Sequence, residues 1–208
     1  MLSELYIAWF VCGCLGVFFA LNLYNLLRTK RSRKPTDVYA EVRRPHGFLF
    51  ALAAFGTLFF FLVSMAYPFL VFAGYSKSEY FPLQLGFRYD FWIQVIGITL
   101  VTMGYFLFLW SVLERGRYAT SWEMQEDHKL VTSGPYRYVR HPSYLAYFLL
   151  FFGLFFMLLN LIALIPLVAI PGYVRITTYE EQLLVARFGS EYVKYQKRTG
   201  RFLPKTKH

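Results

Sequence analysis

The chain has 208 residues, of which 57% are hydrophobic and 16% are charged, and its formal net charge is +10 at pH 7. A soluble domain of this length cannot bury so much apolar surface, and ordinary soluble domains contain about 25% charged residues. The composition therefore excludes a disordered chain, a disulfide-stapled secreted domain and an ordinary nucleic-acid-binding protein, and it indicates a single domain embedded in a membrane.

The predicted elements begin with three membrane-spanning helices. A helix needs about 20 apolar residues to cross a bilayer, and the first three stretches without Asp, Glu, Lys or Arg meet this condition. They predict spans over residues 5–27, 47–72 and 91–113. Pro68 is expected to bend the second helix near its outer end, because proline removes a backbone hydrogen bond inside a helix.

The fourth uncharged stretch, residues 142–174, has 33 residues, which is too long for one span and short for two. Asn160 lies near its middle, between two runs rich in Leu and Phe. We predict a tight helical hairpin with arms over residues 143–159 and 161–174, the second arm kinked by two prolines. The alternative is one long tilted helix that would place Asn160 in the middle of the membrane.

The distribution of basic residues favours the hairpin. Loops on the cytosolic side of membrane proteins are enriched in Lys and Arg. Five spans place 20 of the 22 basic residues on one side, whereas four spans place the eight basic residues of the tail on the opposite side. The sequence thus predicts an all-α integral membrane protein with five transmembrane helices and an outer N-terminus. Its segments 114–142 and 175–208 are then cytosolic, where their positive charge favours contact with the lipid bilayer.

Ionisable residues concentrate where the predicted hairpin reaches the cytosol. These residues are Arg140, His141, Arg175, Glu180 and Glu181. Such a cluster suits a pocket for a charged ligand, and interfacial ion pairing with snorkelling side chains is the alternative interpretation. The helix after the fifth span is expected to continue to residue 188 and to stop at the following glycine. The four histidines lack the spacing of a helical metal-ligand pair, so no metal site is predicted.

Two motifs in this half of the chain resemble a known family. The run HKLVTSGPYRYVRHPSY at residues 128–144 and the run EEQLLVARFGSEYVKYQKRTGRFLP at residues 180–204 resemble the isoprenylcysteine carboxyl methyltransferase family. The related phospholipid methyltransferases share the Arg-His-Pro-x-Tyr and Glu-Glu features. The resemblance covers about residues 121–204 and is closest to the small prokaryotic members with five spans, which implies a prokaryotic inner or plasma membrane.

The resemblance implies that S-adenosylmethionine binds at the cytosolic membrane face, in a pocket formed by the linker after the third helix and by the C-terminal tail. Residues 188–204 would fold over the cofactor as a lid. The cofactor-binding residues that it implies are His128, Lys129, Leu130, Val131, Tyr136, His141, Pro142, Ser143, Tyr144 and Glu180.

The predicted catalytic residues depend on the methyl acceptor. A carboxylate acceptor needs no general base, and Arg140 or Arg175 is the candidate to orient it. The family usually has an Arg four residues before the matching Glu; here that position is Ile176, and Arg175 is rotated by about 100° around the helix. An amine acceptor must lose a proton, which makes His141 or Glu181 the candidate base.

The resemblance favours a methyltransferase that acts on a prenylated or lipid-like carboxylate. The alternatives are a phospholipid N-methyltransferase or an enzyme for another small apolar acceptor. A different class is an NADPH-dependent, sterol-reductase-like or non-catalytic membrane protein. The predicted partners are therefore the lipid bilayer and a lipophilic or lipid-modified acceptor, with no nucleic acid, and the sequence carries no signal for an oligomeric state.

Overall fold

The protein is described by a computed structural model over residues 1–32, 39–41, 47–75, 83–116, 123–125 and 129–205. Helices make up most of this part of the chain, as the composition predicts. The α-helices of the described residues are α1 (Glu4–Ser32), α2 (Phe48–Phe72), α3 (Asp90–Arg115), α4 (Pro142–Leu158), α5 (Ala169–Phe188) and α6 (Ser190–Arg198). Two 3₁₀ helices cover Gly134–Arg137 and Leu161–Val168.

A short ribbon departs from the all-α prediction. Strands β1 (Tyr39–Glu41) and β2 (Glu123–Gln125) pair antiparallel, with Ala40 opposite Met124. Each strand has only three residues, so neither shows the alternating pattern that identifies a strand in a sequence.

Four helical segments of the described chain are long and apolar enough to cross a membrane: Glu4–Arg28, Phe48–Phe72, Asp90–Arg115 and Leu161–Phe188. The first three agree with the predicted spans within a few residues, and α2 continues through Pro68. Helix α4 is apolar but has only 17 residues. The protein is therefore an integral membrane protein, and α4 is the element that decides between four and five spans.

The chain reverses direction at Asn160, where the sequence predicts the hairpin. Leu159 adopts a left-handed conformation with φ of 50°, and the side chain of the buried Asn160 accepts a hydrogen bond of 2.8 Å from the backbone nitrogen of Ile162. The Gln84 side chain donates to the carbonyl of Leu159 at 2.8 Å. The alternative of one long helix is therefore wrong, because an asparagine cap starts a new helical segment here.

The second arm is one continuous helical segment. It begins as the 3₁₀ helix with Pro166 inside and continues as α5 beyond the predicted end of the span at residue 174. It stops at Gly189, whose φ of 52° lies in the region that favours glycine. The continuation to residue 188 and the glycine stop agree with the sequence-based expectation.

Glycines allow the helices that carry the site to approach closely. A Cβ atom added at Gly97 in α3 would lie 2.4 Å from the backbone nitrogen of Met157 in α4, and one at Gly172 in α5 would lie 2.2 Å from the carbonyl oxygen of Leu49 in α2. Small residues at such contacts are typical of membrane helix packing, where association depends on van der Waals contact rather than on the hydrophobic effect.

We expect Gly97→Ala to lower stability by about 1–3 kcal/mol, because the added methyl group must displace the backbone of α4. The measurement is the thermal unfolding of the detergent-solubilised protein. Gly13→Ala in α1 is the matched control, since a Cβ atom there meets no heavy atom within 4 Å. Equal stability of the two variants would contradict the close packing of α3 against α4.

Candidate active site

A cavity of about 290 Å³ lies where the start of α4 meets α3, α5 and α6. Ten of the residues singled out from the sequence line it: Lys129, Leu130, Val131, Tyr136, Arg140, His141, Pro142, Ser143, Tyr144 and Glu180. His128 lies outside the described residues. The structure thus brings the two sequence motifs together around one space.

Local sequence signals shape the first wall of this cavity. The 3₁₀ helix begins at Gly134, whose φ of 55° favours glycine. Pro142 occupies the first turn of α4, where its missing N–H leaves no backbone group unsatisfied. Between them, Tyr136 is buried, and its carbonyl accepts a 2.6 Å hydrogen bond from the hydroxyl of Tyr195. Burial raises the pKa of Tyr136, so its hydroxyl stays neutral.

Glu180 supplies the carboxylate that faces the cavity. One of its oxygens accepts a 2.6 Å hydrogen bond from the hydroxyl of Tyr144, and the other lies 3.5 Å from Nδ1 of His141. The Glu180 side chain is 13% exposed. A carboxylate offers about four lone-pair positions, so these contacts leave acceptor capacity for a ligand.

Glu181 does not line the cavity. Its Oε1 accepts hydrogen bonds from Nε of Arg140 at 2.8 Å and Nε2 of His141 at 3.1 Å. Its Oε2 accepts from Nη2 of Arg201 at 2.9 Å and Nε2 of Gln196 at 3.2 Å. The four donors occupy the acceptor positions of this carboxylate, and this geometry does not favour the general-base role that the sequence suggests for Glu181.

The imidazole of His141 lies between the two glutamates. Burial lowers the pKa of His141, but the hydrogen bonds and charges of Glu180 and Glu181 outweigh burial and raise it above the ordinary value. Both ring nitrogens therefore carry protons over a wider pH range, and a protonated ring is a poor acceptor of a further proton. This arrangement does not favour His141 as the base for an amine acceptor.

The two arginines proposed to orient an acceptor occupy different places. Arg140 lines the cavity, but its guanidinium donates to Glu181 and to the backbone carbonyls of Gln196 and Thr199. Arg175 is exposed and lies 4.9 Å over the ring of Tyr179.

Arg175 also lines a separate cleft, together with Phe48, Leu49 and Phe50 at the start of α2. Ile176 and Glu180 are four residues apart and share one face of α5, whereas Arg175 is rotated from that face by about 100°. The rotation expected from the sequence therefore keeps Arg175 away from the cavity.

Sequence reasoning missed Arg115, the last residue of α3. Arg115 lines the cavity, and its Nη2 donates to the hydroxyl of Ser143 at 3.3 Å. That hydroxyl lies 2.7 Å from the hydroxyl of Ser111. The buried Nε of Arg115 has no hydrogen-bond partner within the described part of the chain. A basic residue at a helix end is an ordinary topology signal, so nothing in the sequence distinguishes it.

The remaining lining residues are apolar or aromatic: Phe108, Tyr147, Leu183, Leu184, Tyr192 and Tyr195. The last two belong to α6, so the C-terminal tail forms a wall of the cavity. Backbone hydrogen bonds from Arg140 to Gly200 and from His141 to Arg201, at 2.9 and 3.1 Å, hold the end of this tail against the start of α4.

Comparison with known proteins matches residues 92–191 to a family model described as phospholipid methyltransferase. The chain is 31% identical over 134 residues to protein-S-isoprenylcysteine O-methyltransferase B of Arabidopsis thaliana. This alignment covers 62% of this chain and 66% of the plant protein. It is 34% identical over 118 residues to the Homo sapiens protein-S-isoprenylcysteine O-methyltransferase, covering 54% of this chain and 42% of the human protein.

The Tribolium castaneum protein of the same name is 30% identical over 141 residues, which covers 62% of this chain and 47% of the insect protein. The matched regions thus span from less than half to about two thirds of these relatives. A solved structure of the eukaryotic intramembrane Ras methyltransferase ICMT (isoprenylcysteine carboxyl methyltransferase) aligns with a TM-score of 0.49 and 24% identity. This alignment covers 77% of this chain and 54% of that one.

Proposed function

This chain belongs to the family of isoprenylcysteine carboxyl methyltransferase-like and phospholipid methyltransferase-like membrane proteins, and from that premise we propose that it is an S-adenosylmethionine-dependent methyltransferase. We propose a prenylated or lipid-like carboxylate as its acceptor. One observation carries this choice of acceptor: Arg115 lines the cavity and its buried Nε has no hydrogen-bond partner among the described residues, while both candidate bases are held in other hydrogen bonds.

The side chains of the cavity suit this cofactor. S-adenosylmethionine carries an α-ammonium group, a carboxylate, an adenine ring and a sulfonium. Glu180 offers a carboxylate to the ammonium group, and Lys129 offers a cation to the carboxylate. Tyrosine rings attract a cation placed over their faces and stack on aromatic rings. The volume of about 290 Å³ lies near the lower end of the roughly 300–1,000 Å³ of small-molecule sites.

The proposed reaction needs positioning more than proton transfer. The bound cofactor would supply a methyl carbon that is already activated by the positive sulfur. A carboxylate acceptor is itself the nucleophile, so the protein has to hold it in line and keep water away. Arg115 would bind the acceptor carboxylate, because it lines the cavity and the single hydrogen bond of its guanidinium among the described residues goes to Ser143.

An amine acceptor fits less well, because His141 and Glu181 are both held by other groups. We therefore retain the carboxylate as the proposed acceptor and assign the orienting role to Arg115 rather than to Arg140 or Arg175. The resemblance to the small prokaryotic members supports the further proposal that the enzyme works in a prokaryotic inner or plasma membrane.

We also propose that α4 completes a fifth span, with the N-terminus outside and the C-terminus in the cytosol. Helix α4 lies antiparallel to the segment Leu161–Phe188, as the contacts of Tyr144 with Tyr173 and Glu180 require. A hairpin of two crossing arms would place the cavity on the side that holds the basic segments, where a water-soluble cofactor has access.

We expect Glu180→Gln to weaken S-adenosylmethionine binding by roughly 10- to 100-fold, because a charge-assisted hydrogen bond contributes about 1.5–3 kcal/mol. Calorimetric titration of detergent-solubilised protein measures the affinity. Glu191→Gln, an exposed position on α6, is the matched control and should bind like the parent protein. Unchanged affinity of Glu180→Gln would remove Glu180 from the cofactor site, and failure of the parent protein to bind at millimolar concentration would refute the proposed cofactor.

We expect Arg115→Met to reduce methyl transfer to a prenylated cysteine carboxylate by roughly 10- to 100-fold, with little change in cofactor affinity, because only the acceptor loses its charged partner. A labelled-methyl transfer assay measures the rate. Arg175→Met is the matched control and should retain activity. If Arg175→Met loses activity while Arg115→Met does not, the assignment of the orienting arginine is wrong. Preferred methylation of phosphatidylethanolamine by the parent protein would refute the carboxylate acceptor.

The five-span arrangement predicts that the two ends of the chain label from opposite sides of the membrane. In a background with Cys12→Ser and Cys14→Ser, a membrane-impermeant maleimide should label Ser3→Cys in intact cells. It should label Lys205→Cys only after permeabilisation. Labelling of both reporters from the same side would favour four spans.

A further inference from the structure

The buried carboxylate of Glu181 has no role in the function proposed above. Its side chain is only 8% exposed, yet it accepts four hydrogen bonds from two separate parts of the chain. Arg140 and His141 precede α4, whereas Gln196 and Arg201 belong to the C-terminal segment. Glu181 is therefore the point at which α4, α5 and the tail meet.

Glu181 contacts two residues that line the cavity, Arg140 and His141, and of these two His141 also contacts Glu180. The imidazole hydrogen bonds Glu181 through Nε2 at 3.1 Å, and its Nδ1 lies 3.5 Å from the cavity-facing carboxylate of Glu180. The ring is 5% exposed and is packed by the rings of Tyr144 and Phe202, with centroid distances of 5.9 and 6.1 Å. A ring fixed in this way couples the position of the Glu181 carboxylate to that of the Glu180 carboxylate.

We propose that Glu181 is a positioning residue that acts through His141 to hold the Glu180 carboxylate toward the cavity. The second oxygen of Glu181 holds the C-terminal segment in place by accepting hydrogen bonds from Arg201 and Gln196. The inference rests on the proposed function, since the group that it positions is the proposed cofactor-binding carboxylate. Glu181 thereby positions another side chain and does not transfer a proton.

The charges around His141 make this positioning dependent on pH. The ring faces Glu180 and Glu181 of α5, while Arg140 beside it and Arg201 of the tail bind the same Glu181 carboxylate. Only the protonated ring has a proton on each nitrogen for both carboxylates. A neutral ring turns a bare nitrogen toward one of them.

The direction in which the His141 pKa moves determines how stability and cofactor affinity change with pH. Burial lowers the pKa of His141, but the two glutamates raise it above the ordinary value, which is about 6.5. The stabilisation by the protonated ring is therefore fully present at acidic pH and is lost as the pH rises through the elevated pKa. Cofactor affinity should fall along the same alkaline limb. Glu181→Gln removes one of the two negative charges, so this limb should move to lower pH.

The experiment measures the affinity for S-adenosylmethionine across about pH 6 to 9, a range that begins below the ordinary histidine pKa and extends upward from it. We expect Glu181→Gln to shift the alkaline limb down by about one pH unit, and His141→Gln to abolish the limb. Glu181→Asp keeps the charge and should leave the limb in place. Arg201→Gln removes only the ion pair that holds the C-terminal segment against Glu181. It should keep the pH dependence of the parent affinity but increase tryptic cleavage at Lys197 and Arg198.

A Glu181→Gln profile identical to that of the parent would overturn the inference, as would an equal shift in Arg201→Gln. If Glu181→Gln does not fold, an alkaline limb that persists in His141→Gln overturns it instead. The titration of His141 by nitrogen-15 NMR of histidine-labelled protein needs no cofactor. A pKa unchanged by Glu181→Gln in that measurement refutes the inference, whereas a parent protein that binds no S-adenosylmethionine refutes the proposed function.

Discussion

The carboxylate of Glu181 is buried among four hydrogen-bond donors, and the geometry of the whole site depends on this cluster. A buried charge must stay paired, because removal of one partner typically costs about 3–5 kcal/mol. The donors come from the start of α4 and from the tail, and the acceptor comes from α5. Keeping the charge paired therefore requires these three elements to meet, and their meeting encloses the cavity.

Two neighbouring glutamates consequently have different surroundings. Glu181 is saturated by donors and faces away from the cavity, whereas Glu180 accepts one hydrogen bond from Tyr144 and keeps acceptor capacity toward the cavity. Adjacent residues on a helix are rotated by about 100°, so one carboxylate can stabilise the assembly while the other remains available to a ligand. Arg115, at the end of α3, also lines the cavity and supplies a positive group. A cavity lined by both signs of charge suits a zwitterionic ligand.

The membrane helices supply the geometry behind this cluster. The reversal at Asn160 sets α4 and α5 side by side. Gly97 and Gly104 let α3 pack closely against α4, and at the end of α3 Arg115 donates to Ser143 in the first turn of α4. The polar groups concentrate at one end of an apolar bundle. An acceptor with a lipid chain and a charged head matches this division.

The sequence by itself determined the membrane character, the reversal at Asn160, the helix stop at Gly189 and the grouping of two polar motifs, because uncharged length, capping residues and charge distribution are local signals. Only the tertiary structure decided which charges face the cavity. Arg175 does not line the cavity, and the Glu181 carboxylate is occupied by hydrogen bonds to other side chains. Arg115 lines the cavity although it belongs to α3, outside both motifs. The physical reason is that the direction of a side chain depends on helix rotation and on partners distant in the chain, and neither is encoded in spacing alone.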